Sequence, residues 1–295
     1  MRWRILSDTL RSQGRSGAWN MAVDEVLLSE VDAGRSLPTL RVYGWSPACI
    51  SLGHSQKAER ELDLAKVRDL GYHVVVRATG GRAVLHIGEL TYSIIASPDT
   101  EAWCATQANS YRTISQALAQ ALAEEGFGVS LDRGYPVERP QGLRAMTPCF
   151  SSTARSEVVW DGRKVVGSAQ RRLRGAFLQH GSILLSRDHR KIVDCLNLDG
   201  DDGDNGDKRL RYLEILDRNS VALEEALGRS ISWSEMAGGF EGRFADALGL
   251  EFEYCGLNGR EEGSVVELAA EKSRHSEHLM AITSGVGGRE SGTKA

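Results

Sequence analysis

Apolar residues recur with the period of an α-helix in three segments of the first half of the chain. In residues 18–31 the apolar side chains fall on one helical face, and Gly34 follows as a helix-ending residue. Residues 107–125 repeat the pattern, and Gly126 is placed for the left-handed conformation of a helix cap. A third helix is predicted over residues 58–70.

Short apolar stretches bounded by glycine or proline predict β-strands between these helices. They cover residues 39–43, 49–52, 74–76, 83–85 and 90–95, and the last alternates as a half-buried strand does. Asp161 and Gly162 separate two further apolar stretches and indicate a tight hairpin, which a strand at residues 177–185 follows. Hairpins this short exclude crossover helices, so the predicted fold class is α+β, with a largely antiparallel or mixed sheet flanked by helices.

An acidic, glycine-rich stretch at residues 199–207 indicates a domain boundary. A calcium loop is the competing interpretation, but the register with Gly206 as turn glycine puts Gly203 at a ligand position and Tyr212 where the bidentate glutamate belongs. We therefore predict a solvated loop and no metal site. The predicted units are a main catalytic domain at 1–208, a small helical C-terminal part at 209–283 and a disordered tail at 284–295.

The charge and cysteine content narrow the class of function. The 295 residues include 36 basic and 40 acidic ones, so there is no overall positive charge to favour nucleic acid or a membrane surface as a partner. Five cysteines without a CxxC pair argue against a zinc ribbon and a disulfide framework. With no signal-like or membrane-spanning segment, the sequence predicts a cytoplasmic protein.

A glycine pair flanked by arginines joins two predicted strands at residues 77–86. Gly80 and Gly81 let the backbone approach a ligand closely, and Arg77 and Arg82 offer forked donors for a phosphate or carboxylate. A glycine hairpin with solvated arginines is the competing interpretation. The stretch is neither a Walker loop nor a dinucleotide fingerprint, because the spacing and the following helix are missing.

Cys149 and Lys164 are the candidates for covalent chemistry. Cys149 follows a proline in a predicted loop, where a thiol stays accessible; the competing interpretation is a buried cysteine that packs as a small apolar side chain. Strand alternation puts Lys164 on the same face as Val166, so an inward lysine would need a negative partner, whereas a surface lysine would not. His86 and His180 are candidate bases or structural histidines, and the sequence brings neither next to Cys149.

Several separated motifs, in order, resemble the lipoate-ligase-like octanoyltransferases of the biotin/lipoate protein ligase superfamily. The resemblance covers about residues 1–255, with a weaker similarity at 268–277. The motifs are residues 38–45, 77–93, 149–150, 162–170 and 179–184.

The resemblance implies a reaction, its partners and its site residues. The octanoyl group of octanoyl-acyl carrier protein would pass to a cysteine and then to a lysine of a lipoyl domain or glycine-cleavage H protein, without a cofactor. Cys149 matches the acyl-accepting cysteine, Lys164 the lysine that lowers its pKa, and residues 79–82 the loop that cradles the acyl group. The implied substrate-binding residues are Arg77, Thr79, Gly80, Gly81, Arg82, His86, Gly167, Ser168 and Ala169.

Three positions depart from the pattern of many relatives. Val76, Ala78 and Ile87 stand where an arginine, a proline and an aspartate are common. Loss of an anion contact weakens the case for an ATP-dependent lipoate-protein ligase more than the case for a thioester enzyme. Two further functions stay open: an octanoyl amidotransferase that acts between carrier proteins, and a noncatalytic module that binds acyl carriers.

Overall fold

The computed structural model describes residues 2–7, 14–132, 156–198 and 205–282. Cys149, most of the acidic loop and the predicted tail lie outside these residues. The described helices are α1 (Gly17–Asp32), α2 (Ala58–Glu61), α3 (Leu64–Asp69), α4 (Gln107–Glu124), α5 (Asn205–Asn219), α6 (Leu223–Leu227), α7 (Trp233–Ala237), α8 (Phe240–Ala247) and α9 (Gly259–Ile282), with 3₁₀ segments at Ala102–Cys104 and Arg187–Cys195. The described strands are β1 (Arg2–Ser7), β2 (Thr39–Tyr43), β3 (Cys49–Leu52), β4 (His73–Val76), β5 (Val84–His86), β6 (Glu89–Ala96), β7 (Ser130–Leu131), β8 (Val158–Trp160), β9 (Arg163–Lys164), β10 (Val166–Arg172), β11 (Phe177–Leu184) and β12 (Glu251–Tyr254).

The largest sheet in the described part of the chain has six strands in the order β10, β11, β6, β2, β1, β12. The first four pair antiparallel, whereas β1 pairs in parallel with both β2 and β12. Two smaller sheets, β4-β3-β5 and β7-β8-β9, accompany it. This mixed architecture, flanked by helices, confirms the predicted fold class.

Both faces of the large sheet are covered, so every residue of β6 and β11 is buried. Tyr92 and Ile94 of β6 pack with α4 and α8, and Ile95 packs on the opposite face with α1 and α9. Thr91 and Ser93 are buried too, and Ser93 bonds to α1. One face of β6 therefore carries a hydrocarbon core, and the other carries buried hydroxyl groups together with Ile95.

The helix predicted over residues 58–70 is wrong in extent, because it is broken into α2 and α3. Leu62 is extended and forms an isolated antiparallel bridge with Leu196. Asp63 donates its backbone N–H to the carbonyl of Cys195, and its side chain caps α3 by accepting from the backbone of Lys66. Pairing with a distant segment thus overrides the local helical pattern.

Residues after 208 are built into the main sheet, a feature that the sequence did not predict. Strand β12 pairs with β1 at the sheet edge, and α9 packs along α1. The domain boundary at 208/209 stays a prediction, but the hydrogen-bonded sheet continues across it. Within the described residues, no helix is both long enough and apolar enough to cross a membrane.

A buried ion pair joins the two ends of the described chain. The guanidinium of Arg4 binds both carboxylate oxygens of Glu261, at 2.8 and 3.1 Å, and Ser36 donates to the same carboxylate at 2.6 Å. Burial acts to raise the pKa of Glu261, but the hydrogen bonds from Arg4 and Ser36 prevail and hold it below 4.5. Breaking such a pair leaves a buried charge without its partner.

We expect Glu261→Ala to lower the free energy of unfolding by about 3 kcal/mol at pH 7, because the charge of Arg4 stays buried. Since the folded pKa of Glu261 is lowered, the stability it supplies is present above pH 4.5 and is lost as the pH falls through the folded value. The difference in the free energy of unfolding between wild type and variant should therefore become smaller in acid. Denaturant titrations at several pH values measure this difference. Glu262→Ala, at an exposed neighbour, is the control; equal losses in both variants would refute the role of the pair.

Candidate active site

A cavity opens between the large sheet and the β4-β3-β5 sheet. Residues of β10 and β11 form one wall, and residues of β3 and β5 form the other. The space inside it, open mouth included, is ≈ 360 Å³. The described residues that line it are Met21, Tyr43, Trp45, Ser51, Arg77, Val84, His86, Thr91, Gly167, Ser168, Ala169, His180, Gly181 and Ser182.

Gly181 keeps the wall formed by β10 and β11 flat. It pairs with Ser168 across the two strands. A Cβ atom at Gly181 would lie 2.6 Å from the carbonyl oxygen of Gly167, 2.7 Å from the Ser168 hydroxyl and 2.8 Å from the ring of Tyr92. Only glycine fits between these neighbours without displacing a strand.

The imidazole of His180 is held between a carboxylate and a hydroxyl group. Its Nδ1 lies 3.0 Å from Asp24 Oδ2, and its Nε2 lies 2.7 Å from Thr79 Oγ1. A neutral ring that donates from Nδ1 and accepts the Thr79 proton satisfies both contacts. His180 is therefore oriented on both sides, and its ring faces the cavity.

Asp24 of α1 binds more than His180. Arg41 donates to its Oδ1 at 3.0 Å, Ser93 at 2.9 Å, and the hydroxyl of Tyr43 donates to Oδ2 at 3.1 Å. Burial acts to raise the pKa of Asp24, but the hydrogen bond from His180 and the charge of Arg41 keep it below 3.8. Burial raises the pKa of Tyr43 well above 10, and the charge of Asp24 adds to the rise, so the phenol stays a donor.

Arg77 lines the cavity, but its guanidinium is engaged by the protein itself. It donates to the backbone carbonyls of Gly80, Arg82 and Ser51 at 2.7 to 3.2 Å, and to the Ser51 hydroxyl at 3.0 Å. These bonds close the glycine-pair loop on itself. Arg77 therefore shapes the loop in this state, whereas the sequence analysis expected its donors to face a ligand.

The other predicted loop residues lie behind the cavity wall. Thr79, Gly80, Gly81 and Arg82 are absent from the described lining, although Thr79 reaches the site through His180. Gly81 has φ +99°, and its carbonyl oxygen would be 2.2 Å from a Cβ at Gly53. The loop thus packs tightly on the turn after β3.

His86 stands at the mouth of the cavity in a second polar cluster. Its Nδ1 is 2.7 Å from Glu89 Oε1 and its Nε2 is 2.7 Å from the Ser51 hydroxyl. Its ring stacks on the indole of Trp45, with ring centres 3.8 Å apart and planes 8° apart. His86 is thereby fixed in position and orientation.

Lys164 is buried, and the negative partner it requires is Glu157. Strand β9 ends at Lys164 and β10 begins at Val166, so simple alternation is interrupted, yet all three residues from 164 to 166 are buried. In the β8-β9 hairpin Val159 pairs with Lys164, which puts Glu157 diagonally across from the lysine. Lys164 is not among the described residues that line the cavity.

None of the four described cysteines lines the cavity. Cys49, Cys104 and Cys195 are buried, and burial raises the pKa of each thiol, to about 12 for Cys104 and Cys195. Such thiols are poor nucleophiles at neutral pH. Cys255 is exposed and lies just after the edge strand β12.

The structure therefore brings part of the predicted site together. Arg77, His86, Gly167, Ser168 and Ala169 line one cavity, and Cys149 lies outside the described residues. Asp24, Glu89 and Glu157 were not predicted from the sequence as site residues. Glu157 could have been found from hairpin register, whereas Asp24 and Glu89 gave no local signal. Among the described residues, no group of three or more His, Cys, Asp or Glu side chains is arranged to hold a metal ion.

Sequence comparison places the chain in a known family. The profile of the lipoyl protein ligase A/B catalytic domain matches residues 16–244. The chain is similar to a protein named Octanoyltransferase LipM of an Exiguobacterium species, with 39% identity over 246 residues that cover 83% of this chain and 87% of the other. A protein of the same name from Kyrpidia tusciae is 37% identical over 280 residues, 95% of both chains.

Solved structures of lipoate ligases share the fold. A bipartite lipoate protein ligase of Thermoplasma acidophilum, whose structure was described together with its E2 lipoyl domain, matches with a TM-score of 0.71 and 22% identity, over 95% of this chain and 96% of the other. A lipoate-protein ligase A bound with ATP matches with a TM-score of 0.69 and 21% identity, over 95% and 98%. At this identity the likeness concerns the fold alone.

We expect Gly181→Ala to reduce both stability and activity. The added methyl group would meet the backbone of β10 at 2.6 Å, so the strand must shift and the cavity wall must move with it. A loss of about 2 kcal/mol is expected from overpacking of this kind. Thermal unfolding and acyl-transfer rates measure the two effects. Gly128→Ala is the control, since nothing lies within 4 Å of its added carbon; a Gly181→Ala protein that matches it would disprove the close packing.

Proposed function

The chain belongs to the lipoyl protein ligase A/B family and is an acyltransferase, and we propose that it transfers an octanoyl group to a lysine of a lipoyl-dependent carrier protein. The observation that carries this proposal is the identity of 37% and 39% to two proteins named octanoyltransferase, over 95% and 83% of this chain. The acceptor is a lipoyl domain or a glycine-cleavage H protein, and the donor is octanoyl-acyl carrier protein.

The cavity supports an acyl substrate. Met21 and Val84 contribute apolar surface, and the strand Gly167-Ser168-Ala169 lines one side, so that an alkyl chain can lie along a flat backbone. The lining also carries several polar side chains, and each of them is held by hydrogen bonds within the protein. Apolar surface combined with fixed polar groups is the general form of a small-molecule site.

The reaction proceeds in two steps through Cys149. The thiolate of Cys149 attacks the thioester carbonyl of the donor, a new carbon–sulfur bond forms, and the thiol of the carrier protein leaves. The acceptor amine then attacks the enzyme thioester, an amide forms and Cys149 is released. Exchange of one thioester for another is nearly balanced and amide formation runs downhill, so no ATP is consumed.

Lys164 is the electrostatic partner of this cysteine in the proposal. A nearby ammonium favours thiolate over thiol and stabilises the oxyanion of each tetrahedral intermediate. Its burial supports the role, because a charge removed from water acts more strongly on its neighbours, and Glu157 balances that charge until a second anion competes for it. Glu157 also holds the ammonium in one position before the donor arrives.

Incubation of the protein with octanoyl-acyl carrier protein is expected to add one octanoyl mass, which hydroxylamine removes. Cys149→Ser should abolish the labile adduct, and Cys255→Ser, at an exposed cysteine, should retain it. Intact-mass spectrometry measures both results.

Three other outcomes would indicate a different function. A Cys149→Ser protein that modifies a carrier from free lipoate and ATP would indicate a ligase. Labelling only from octanoyl-H protein would indicate an amidotransferase, and no adduct from any donor would indicate a noncatalytic module.

The role of Lys164 is tested in a background without Glu157. Removing the lysine alone leaves a buried carboxylate and lowers stability, so the double variant Lys164→Met, Glu157→Gln is compared with Glu157→Gln. We expect the double variant to load octanoyl about 100-fold more slowly near neutral pH and to recover as the pH rises, because more thiol ionises. Rates of acyl loading from pH 6 to 10 measure this. Parallel pH profiles for the two proteins would remove Lys164 from the role.

A further inference from the structure

A second cleft adjoins the acyl cavity on the other side of the stacked rings of Trp45 and His86. Both rings line both spaces. The cleft is open to solvent and encloses ≈ 740 Å³, mouth included. Glu89 and Trp233 line this cleft and are absent from the described lining of the acyl cavity. A molecule in the cleft therefore lies against two of the side chains that also line the acyl cavity.

Glu89 is 4% exposed. Its two carboxylate oxygens differ in their hydrogen bonding. Oε1 lies within hydrogen-bond distance of the Thr91 hydroxyl at 2.6 Å, His86 Nδ1 at 2.7 Å and the Ser182 hydroxyl at 2.9 Å. Oε2 has no hydrogen-bond partner among the described residues. A buried carboxylate oxygen without a donor is costly, and this one belongs to a side chain that lines an open cleft.

The donors around Oε1 are consistent with an ionised carboxylate. Trp45 donates to the Thr91 hydroxyl, which passes its own proton towards Glu89. Arg77 donates to the Ser51 hydroxyl, which can donate to His86 Nε2 and leave the Nδ1 proton for Glu89. Every donor of this hydrogen-bond network reaches Oε1, so Oε2 is left without one among the described residues.

The walls of the cleft suit an alkylammonium group. Trp45 and Trp233 present indole rings, which attract cations over their faces. The described lining contains no lysine or arginine that could neutralise Glu89, and Ile87 adds apolar surface for a methylene chain. The indole N–H of Trp233 also has no hydrogen-bond partner among the described residues.

We propose that this cleft receives the acceptor lysine, with Glu89 Oε2 binding its ammonium group and taking its proton, while Trp45 and Trp233 flank the side chain. The assignment rests on the proposed acyltransfer function and deepens it by naming the base. Pantetheine, the arm of the acyl donor, is neutral, so it would not compensate the charge of Glu89. The electrostatics of the cleft therefore favour the acceptor.

The proton balance of the step is complete. The ammonium gives one proton to Glu89, which releases it to solvent through the cleft. The neutral amine attacks the thioester carbonyl, the carbon–nitrogen bond forms and the carbon–sulfur bond breaks. The nitrogen loses its second proton to the departing thiolate, which ends as the Cys149 thiol.

Two half-reactions test this assignment separately. Octanoyl loading is followed by intact mass, and transfer from the loaded protein to a lipoyl domain is followed in a single turnover. We expect Glu89→Gln to load as wild type does and to transfer about 100-fold more slowly. Glu124→Gln, at an exposed glutamate, is the matched control and should do both normally. Wild type that fails to load would refute the proposed function instead.

A modified acceptor separates proton removal from packing. A lipoyl domain whose lysine is replaced by cysteine and alkylated to aminoethylcysteine carries a less basic amine of nearly the same length. The defect of Glu89→Gln should be markedly smaller with this domain, since less of its amine needs deprotonation. An equal defect with both domains would leave Glu89 without a role as base.

Other outcomes of the two half-reactions also test the assignment of Glu89 as the base. Unchanged transfer by Glu89→Gln overturns the assignment, and so does equal loss of loading and transfer, which would assign the cleft to the donor. If Glu89→Gln does not fold, Trp233→Phe serves: it keeps an aromatic wall and removes the indole N–H. It should raise the KM for the lipoyl domain several-fold with loading unaltered, and an unchanged KM overturns the assignment.

Discussion

The carboxylate of Asp24 is the interaction on which the site depends. It lies on α1 and binds side chains from three adjacent strands: Arg41 of β2, Ser93 of β6 and His180 of β11. Strand pairing sets the spacing of those side chains, and one buried anion then fixes the helix above them. A carboxylate with this many donors is held ionised in a setting that would otherwise favour its neutral form. The same contacts orient His180 towards the cavity, so the packing of α1 and the geometry of the site have one cause.

Two carboxylates thus organise the two ends of the site, and they are satisfied to different degrees. Asp24 uses both oxygens within the protein, which is the condition of a structural anion. Glu89 uses one oxygen; the other has no hydrogen-bond partner among the described residues, on a side chain that lines a cleft. Each orients a histidine, but only the second retains capacity for an outside donor. Both residues are buried acids beside an imidazole. The difference in their hydrogen bonding separates a structural carboxylate, Asp24, from one that can bind an outside group, Glu89.

Local pattern was enough to predict the central strands, α1, α4 and the hairpin at Asp161 and Gly162, because in these segments period and turn chemistry agree with the final packing. It failed where distant pairing decides. Leu62 breaks a helical segment because Leu196 pairs with it, and β12 joins the sheet at an edge formed by the first residues of the chain. The glycine-pair loop was located correctly, but the direction of Arg77 could not be predicted, because the Ser51 carbonyl that it also binds becomes close only after β3 and β4 pair. The resemblance of motifs identified Cys149 and Lys164. Asp24 is defined by partners 17 to 156 residues away, and Glu89 by an oxygen without a hydrogen-bond partner among the described residues. Neither feature is visible in the sequence pattern.

The pair formed by Lys164 and Glu157 sets a constraint on any mechanism that uses the lysine. An ammonium buried beside a carboxylate is already neutralised, so it stabilises a thiolate only to the extent that it is shared with, or released from, its partner. In water a second anion would attract the ammonium only weakly. In a site from which water is excluded, a thiolate at hydrogen-bond distance competes effectively with Glu157 for the ammonium. The ion pair is therefore compatible with the proposed chemistry as the arrangement before substrate binds. When the thioester reacts, the ammonium can bind the developing anion in place of Glu157.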